Sequence, residues 1–185
     1  MKKVILLGDS IRMMGYGALV PAMLGENYDV WQPEDNGRFA SYTLRMLFEY
    51  KAQMEGADII HWNNGLWDVC DLFGDGPFTP IDTYAEQLKR IAGILKTYAP
   101  VVIFATTTVP DPYMPGHTQA RIDAYNKAAV AALEPMGVLI NDLYPLVAGH
   151  TEEMICEDHI HLTPKGGEIV ARRVADAILA ADRRF

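Results

Sequence analysis

Short apolar runs alternate along this chain with longer stretches whose apolar residues fall at helical spacing, and that alternation limits the folds open to it. The runs are Val4–Leu7, Tyr28–Trp31, Asp58–Trp62, Val101–Thr106 and Val138–Asn141. Several are continuously apolar, the pattern of strands covered on both faces. The helical stretches between them are Ser41–Met54, Ile81–Tyr98, Thr118–Leu133 and Pro164–Ala181. In Ile81–Tyr98, residues Tyr84, Leu88, Ile91, Leu95 and Tyr98 form one apolar stripe, and Pro100 stops the helix. Ser41 offers a cap to its helix, and Pro164 suits a first-turn position. This order predicts an α/β fold: a five-stranded parallel sheet in a flavodoxin-like, three-layer α/β/α sandwich.

At 185 residues the chain is expected to form one domain, 1–185, with room for a real core. No internal repeat, linker or low-complexity tract divides it. The net charge is −8, and no basic run exceeds a pair, which argues against nucleic acid or an anionic membrane surface as partner. Cys70 and Cys156 have no metal-ligand spacing with each other or with the histidines, so reduced thiols and neither metal nor cofactor are expected. The chain enters a strand directly after Met1-Lys2-Lys3. Its apolar run is too short for a secretory leader or a membrane span, so a cytoplasmic protein is expected. The oligomeric state is not set by these features.

In parallel α/β sheets, sites form at the carboxyl ends of the strands. Those ends carry Asp9-Ser10, Asn63-Asn64-Gly65 and Thr107-Thr108 here, and two longer loops, Val69–Pro80 and Val109–His117, follow the third and fourth strands. Both loops are rich in Gly, Pro and Asp, as expected for the rim of a pocket. A serine hydroxyl at a strand-to-helix turn is exposed but weakly nucleophilic; it needs a base, and the base needs a group to orient it. Asp158-His159-Ile160-His161, just before the last helix, supplies both residue types. An i,i+3 pair meets across one turn, and a carboxylate there holds an imidazole tautomer. Alone, Gly8-Asp9-Ser10 reads equally as a turn and Asp158-x-x-His161 as a surface pair; at opposite ends of one α/β domain they reinforce each other.

On these two blocks the chain resembles the SGNH hydrolases, the GDSL-type esterases and lipases, over essentially its whole length. The first block is Leu6-Leu7-Gly8-Asp9-Ser10, and the last runs from Asp158 to Gly167, matching Asp-x-x-His followed by Leu-Thr-x-x-Gly. The resemblance implies Ser10 as nucleophile, His161 as general base and acid, and Asp158 as the orienting carboxylate. His159 competes as base, and the spacing favours His161. The middle blocks depart from the family. The second normally supplies a glycine N–H to the oxyanion; here Gly37 or, in another register, Ala40 takes that place. The third is normally Gly-x-Asn-Asp, and here reads Gly65-Leu66-Trp67-Asp68. A tryptophan cannot replace the amide, so the oxyanion donor is expected from Asn64 first and Asn63 second, unless both only cap the strand end.

Trp67 lies in a loop and is a candidate flat face for a sugar ring, with Tyr113; Trp62 lies within a strand and is expected in the core. Asp9 either braces the nucleophile turn or caps the following helix. Arg38 is a weaker candidate for a substrate contact, and His117 and His150 have no evident partner. No Gly-x-Ser-x-Gly elbow, phosphate-binding loop or dinucleotide fingerprint occurs. The expected function is hydrolysis of small acyl esters, acetyl above all, on carbohydrate or related small molecules through an acyl-enzyme. The alternatives are a non-catalytic carbohydrate-binding relative and an acyltransferase using the same three residues.

Overall fold

The first apolar run becomes the interior of the sheet. In a computed structural model, which describes residues 1–184, strand β1 (Lys2–Leu7) lies between β2 (Tyr28–Trp31) and β3 (Ile59–Asn63), and β4 (Val101–Ala105) and β5 (Leu139–Asn141) extend the sheet beyond β3. Every pairing is parallel and the order is 2-1-3-4-5. The chain therefore winds outward from β1 to β2, then reverses past β1 to build β3, β4 and β5. The reversal leaves a crevice beyond the carboxyl ends of β1 and β3.

Residues Val4–Leu7 and all of β3 and β4 are buried, whereas the edge strands β2 and β5 are partly exposed. Each fully buried aliphatic side chain there contributes about 1.5–3 kcal/mol relative to exposure. The helices, in chain order, are α1 (Val20–Leu24), α2 (Ala40–Glu49), α3 (Lys51–Met54), α4 (Ile81–Tyr98), α5 (Gln119–Leu133), α6 (Tyr144–Val147), α7 (Thr151–Met154) and α8 (Pro164–Asp182). Helices α2, α4 and α5 pack together as one layer; α1 and α8, with the segment Ile11–Tyr16, form the other. Right-handed crossovers around a reversing strand order require this division. The stripe Tyr84, Leu88, Ile91, Leu95 and Tyr98 of α4 is buried as expected, and Trp62 is fully buried. Thr118 and Thr163 cap α5 and α8 by accepting from Arg121 N (3.2 Å) and Gly166 N (3.0 Å).

Two expectations require correction. The stretch Ser41–Met54 is not one helix: it breaks at Tyr50 (φ −101°, ψ 19°) into α2 and α3. Ser41 does not cap it, because the helix already begins at Ala40. The Asp68 carboxylate, arriving from the loop after β3, accepts the Ala40 N–H at 3.1 and 3.2 Å. The short helices α1, α6 and α7, a 3-10 turn over Glu134–Met136 and a π-helical segment over Ile11–Tyr16 also went unforeseen. The π-helical segment follows Ser10 directly and does not repeat at the 3.6-residue period on which an apolar stripe is read. Among the described residues, no helix is long and apolar enough to cross a membrane.

Candidate active site

Ser10 follows β1 and opens the Ile11–Tyr16 segment, so its own N–H has no intrahelical partner. Beneath it, Asp9 is buried and takes the first of the two roles open to it, bracing the nucleophile turn. Its Oδ1 accepts the Ile11 N–H at 3.0 Å and accepts from Asn63 Nδ2 at 2.8 Å. Tyr16 OH donates to Asn63 Oδ1 at 2.9 Å, so the Asn63 amide, at the end of β3, is fixed from both sides. Gly8 makes this approach possible: a Cβ there would lie 2.0 Å from Asn63 Oδ1. Burial pushes the Asp9 carboxyl up from the usual range, against the hydrogen bonds from Asn63 and Ile11 that favour the ion.

The last block is built differently. An isolated antiparallel bridge, Ile155 to Leu162, closes a short loop, with Cys156 N donating to His161 O at 2.7 Å. At its tip the exposed Asp158 accepts at Oδ1 from Ile160 N (3.1 Å) and His161 N (2.9 Å), and its Oδ2 lies 2.6 Å from His161 Nδ1. Partial burial pushes this carboxyl up, but the hydrogen bonds from His161 and Ile160 outweigh it and bring it down to about 2. An ionised Asp158 places the neutral ring's proton on Nδ1 and leaves the Nε2 lone pair free.

Ser10 and His161 line one cavity of about 390 Å³. Among the described residues no hydrogen bond joins them; such contacts often tighten only when substrate binds. His159, the competing base, does not line this cavity. It adopts a left-handed backbone (φ 66°) and turns its ring toward Asp111 Oδ1, 3.4 Å from Nδ1, and toward Tyr113.

The backbone donors expected from the second block are not free. The Gly37 N–H is donated to Gly8 O at 2.9 Å, tying that loop to β1, and the Ala40 N–H is donated to Asp68. A single N–H already committed to a buried acceptor has nothing left for an oxyanion, so neither expectation stands in this structure. Asn64 is fully buried; its Nδ2 donates to Arg38 O at 3.1 Å and its Oδ1 has no partner. Trp67 stacks edge-on against Phe39, at 5.4 Å between ring centres, and lines the cavity beside Ser10. Arg38 is exposed, lies over the Tyr42 ring and is not part of the cavity wall, and Tyr113 is exposed outside it.

Several residues at the site were not assigned a role from the sequence, and His117, expected to have no partner, has two backbone neighbours. Asp68 is fully buried, accepts from Thr79 Oγ1 at 2.8 Å as well as from Ala40, and is pushed up to about 7 by burial against those bonds. His117 lines the cavity with Nε2 2.9 Å from Leu66 O and Nδ1 2.9 Å from Pro115 O. Arg121 donates to Asp71 Oδ2 (3.1 Å) and Gly116 O (3.2 Å), and Asp71 N donates to Gly116 O (2.9 Å), stapling the two rim loops together. Only Asp68 had any sequence signal, as the acidic end of the irregular third block.

No family model matches the chain, and no curated protein matches it. Solved structures do. A lipase/acylhydrolase from Enterococcus faecalis superposes with a TM-score of 0.81 at 23% identity, over 97% of this chain and 96% of that one. Axe2, an acetylxylan esterase from Geobacillus stearothermophilus, gives 0.78 at 19% identity, over 96% and 94%. TesA gives 0.79 at 18%, over 97% and 99%. At these identities the likeness is one of architecture, and it matches the strand order and layers described above: the chain has the SGNH hydrolase fold.

Proposed function

We propose that this protein is a serine ester hydrolase. The observation that carries the reading is that Ser10 and an imidazole already paired with Asp158 face one cavity at the carboxyl edge of the sheet. The fold neighbours named as acylhydrolase and acetylxylan esterase support it. Ser10 Oγ attacks the ester carbonyl as His161 Nε2 takes its proton, and Asp158 stabilises the imidazolium. His161 returns the proton to the departing alcohol. Water, deprotonated by the same ring, then attacks the acyl-Ser10 ester and releases the acid.

The tetrahedral oxyanion faces the Ser10 N–H and a side-chain amide. Asn63 is the better placed of the two asparagines: its carboxamide is held by Asp9, next in chain to Ser10, and one of its two amide hydrogens remains uncommitted. Asn64 likewise donates one amide hydrogen, to Arg38 O, but that bond does not tie it to the Ser10 turn. Trp67 forms cavity wall and takes no part in the oxyanion site.

The decisive experiment combines turnover of p-nitrophenyl esters, acetate included, with fluorophosphonate labelling. The expected result is turnover, with label on Ser10, both lost in Ser10→Ala. Retained activity in Ser10→Ala would refute the nucleophile. Ligand binding without labelling would point to a non-catalytic relative, and product formed on an added alcohol to acyl transfer. Acetyl esters on carbohydrate are the finer reading that the acetylxylan esterases among the fold neighbours support, whereas the lining of the cavity itself favours a different occupant.

A further inference from the structure

We infer that the cavity beside Ser10 takes an apolar group of the ester, a short alkyl chain or a single aromatic ring, in preference to a sugar; this deepens the ester-hydrolase reading and rests on it. The wall is made by Met14, Leu66, Trp67, Leu72, Phe78 and Met114. Apart from Ser10 and His161, its polar members are Asn36, which keeps its Nδ2 amide as a donor, and His117, whose ring is held by the backbone. Asn36 Oδ1 accepts the Arg38 N–H at 2.9 Å, and both His117 nitrogens lie 2.9 Å from backbone carbonyls. A sugar placed here would bring several hydroxyls to a wall with few groups left to receive them, and each unmet hydroxyl costs its desolvation. An apolar chain meets no such penalty.

The free protein also leaves apolar surface wet at this point. Met14 is 63% exposed, Leu72 55% and Phe78 45%. These lie on two segments, Met14 on the turn after Ser10 and Leu72 with Phe78 on the loop after β3, that converge on the cavity, a concentration that marks a binding surface more than scattered exposure does. The staple between the two rim loops means that the wall is formed before ligand arrives.

An apolar group reaches the cavity from either side of the ester, and the experiment separates the two sources. On the intact protein, kcat/KM is measured for p-nitrophenyl acetate, butyrate, hexanoate and octanoate, which lengthens the acyl side. It is then measured for methyl, butyl and hexyl acetate by pH-stat, which lengthens the alcohol side, and for a peracetylated xylose. The expected result is a rise of about fourfold per methylene along one series, the equivalent of the ~0.8 kcal/mol gained by burying one CH2. The acetylated sugar is expected to fall below the best apolar ester, and Leu72→Asn to flatten the rise. Flat or falling values along both series, or the acetylated sugar as best substrate, would overturn the inference and leave the hydrolase reading intact. Failure of every ester, with no labelling of Ser10, removes the hydrolase reading instead. The cavity is then judged by titrating Trp67 fluorescence with hexan-1-ol: saturable binding weakened by Leu72→Asn sustains the apolar pocket, and no binding overturns it.

Discussion

The two halves of the candidate site are built in opposite ways. On the Ser10 side the machinery is buried and non-local: Asp9 from the turn after β1, Tyr16 from the π-helical segment and Asn63 from the end of β3 are joined by hydrogen bonds in the core. On the His161 side it is exposed and local: Asp158 and His161 lie three residues apart, on a loop whose hydrogen bonds are largely its own. Their carboxyl groups respond accordingly. Burial dominates at Asp9 and Asp68 and raises both, while hydrogen bonding dominates at Asp158 and lowers it to about 2. The difference teaches that positioning is coupled to folding on one side of the site and nearly free of it on the other.

The largest effect comes from the reaction itself. Ser10→Ala is expected to lower ester kcat by about 10⁴-fold or more, and adding His161→Ala to cost little further, because residues acting as one unit are not additive. A double variant far slower than either single one would deny that they cooperate. Next, Asp158→Asn is expected to lower kcat by up to about 10⁴-fold through the wrong imidazole tautomer. Its melting temperature should barely move, since an exposed pair contributes little to stability.

Asn63→Ala breaks the comparison in the other direction. It should cost about 10²–10³-fold in kcat as an oxyanion donor. It should also destabilise the fold by roughly 1–3 kcal/mol, by stranding Asp9 and Tyr16 in the core. Asn64→Ala at equal activity loss, with Asn63→Ala near wild type, would reverse the assignment. Kinetics paired with urea melts of these variants reads both quantities.

The smallest effect is a slope. Asp68 has its folded pKa raised to about 7, above an unfolded value near the usual ~3.9, so the folded state holds the extra proton between them. Its contribution to stability is greatest below pH ~4, falls as pH rises toward 7 by up to about 1.4 kcal/mol per unit, and is flat above. Asp158 runs the opposite way: its small contribution is present above pH ~4 and is lost as pH falls toward 2. Urea melts from pH 5 to 8 should therefore show a declining wild-type stability that Asp68→Asn flattens. An unchanged slope in that variant would mean that the buried carboxyl is not the titrating group.

Much of this was legible in the residues. The strand positions follow from continuous apolar runs, and the α4 stripe from helical spacing, both of which act through neighbours in the chain. The geometry of Asp158 with His161 was equally readable, because an i,i+3 contact needs no tertiary information. Across the sheet, sequence reasoning weakened. Gly37 and Ala40 looked like free donors, and only the packed structure shows that their hydrogens belong to Gly8 O and to Asp68. Asn64 was favoured over Asn63 by adjacency to the turn, whereas Asp9, from the turn after β1, orients the Asn63 amide.

The sequence by itself determined the layers, the strand ends and the pairing of carboxylate with imidazole, because each is encoded in periodicity or in short-range spacing. The tertiary structure alone decided which N–H groups are spent, which carboxyls are buried and what lines the cavity. Those depend on which distant residue occupies the space beside each group, and nothing in linear order specifies that neighbour.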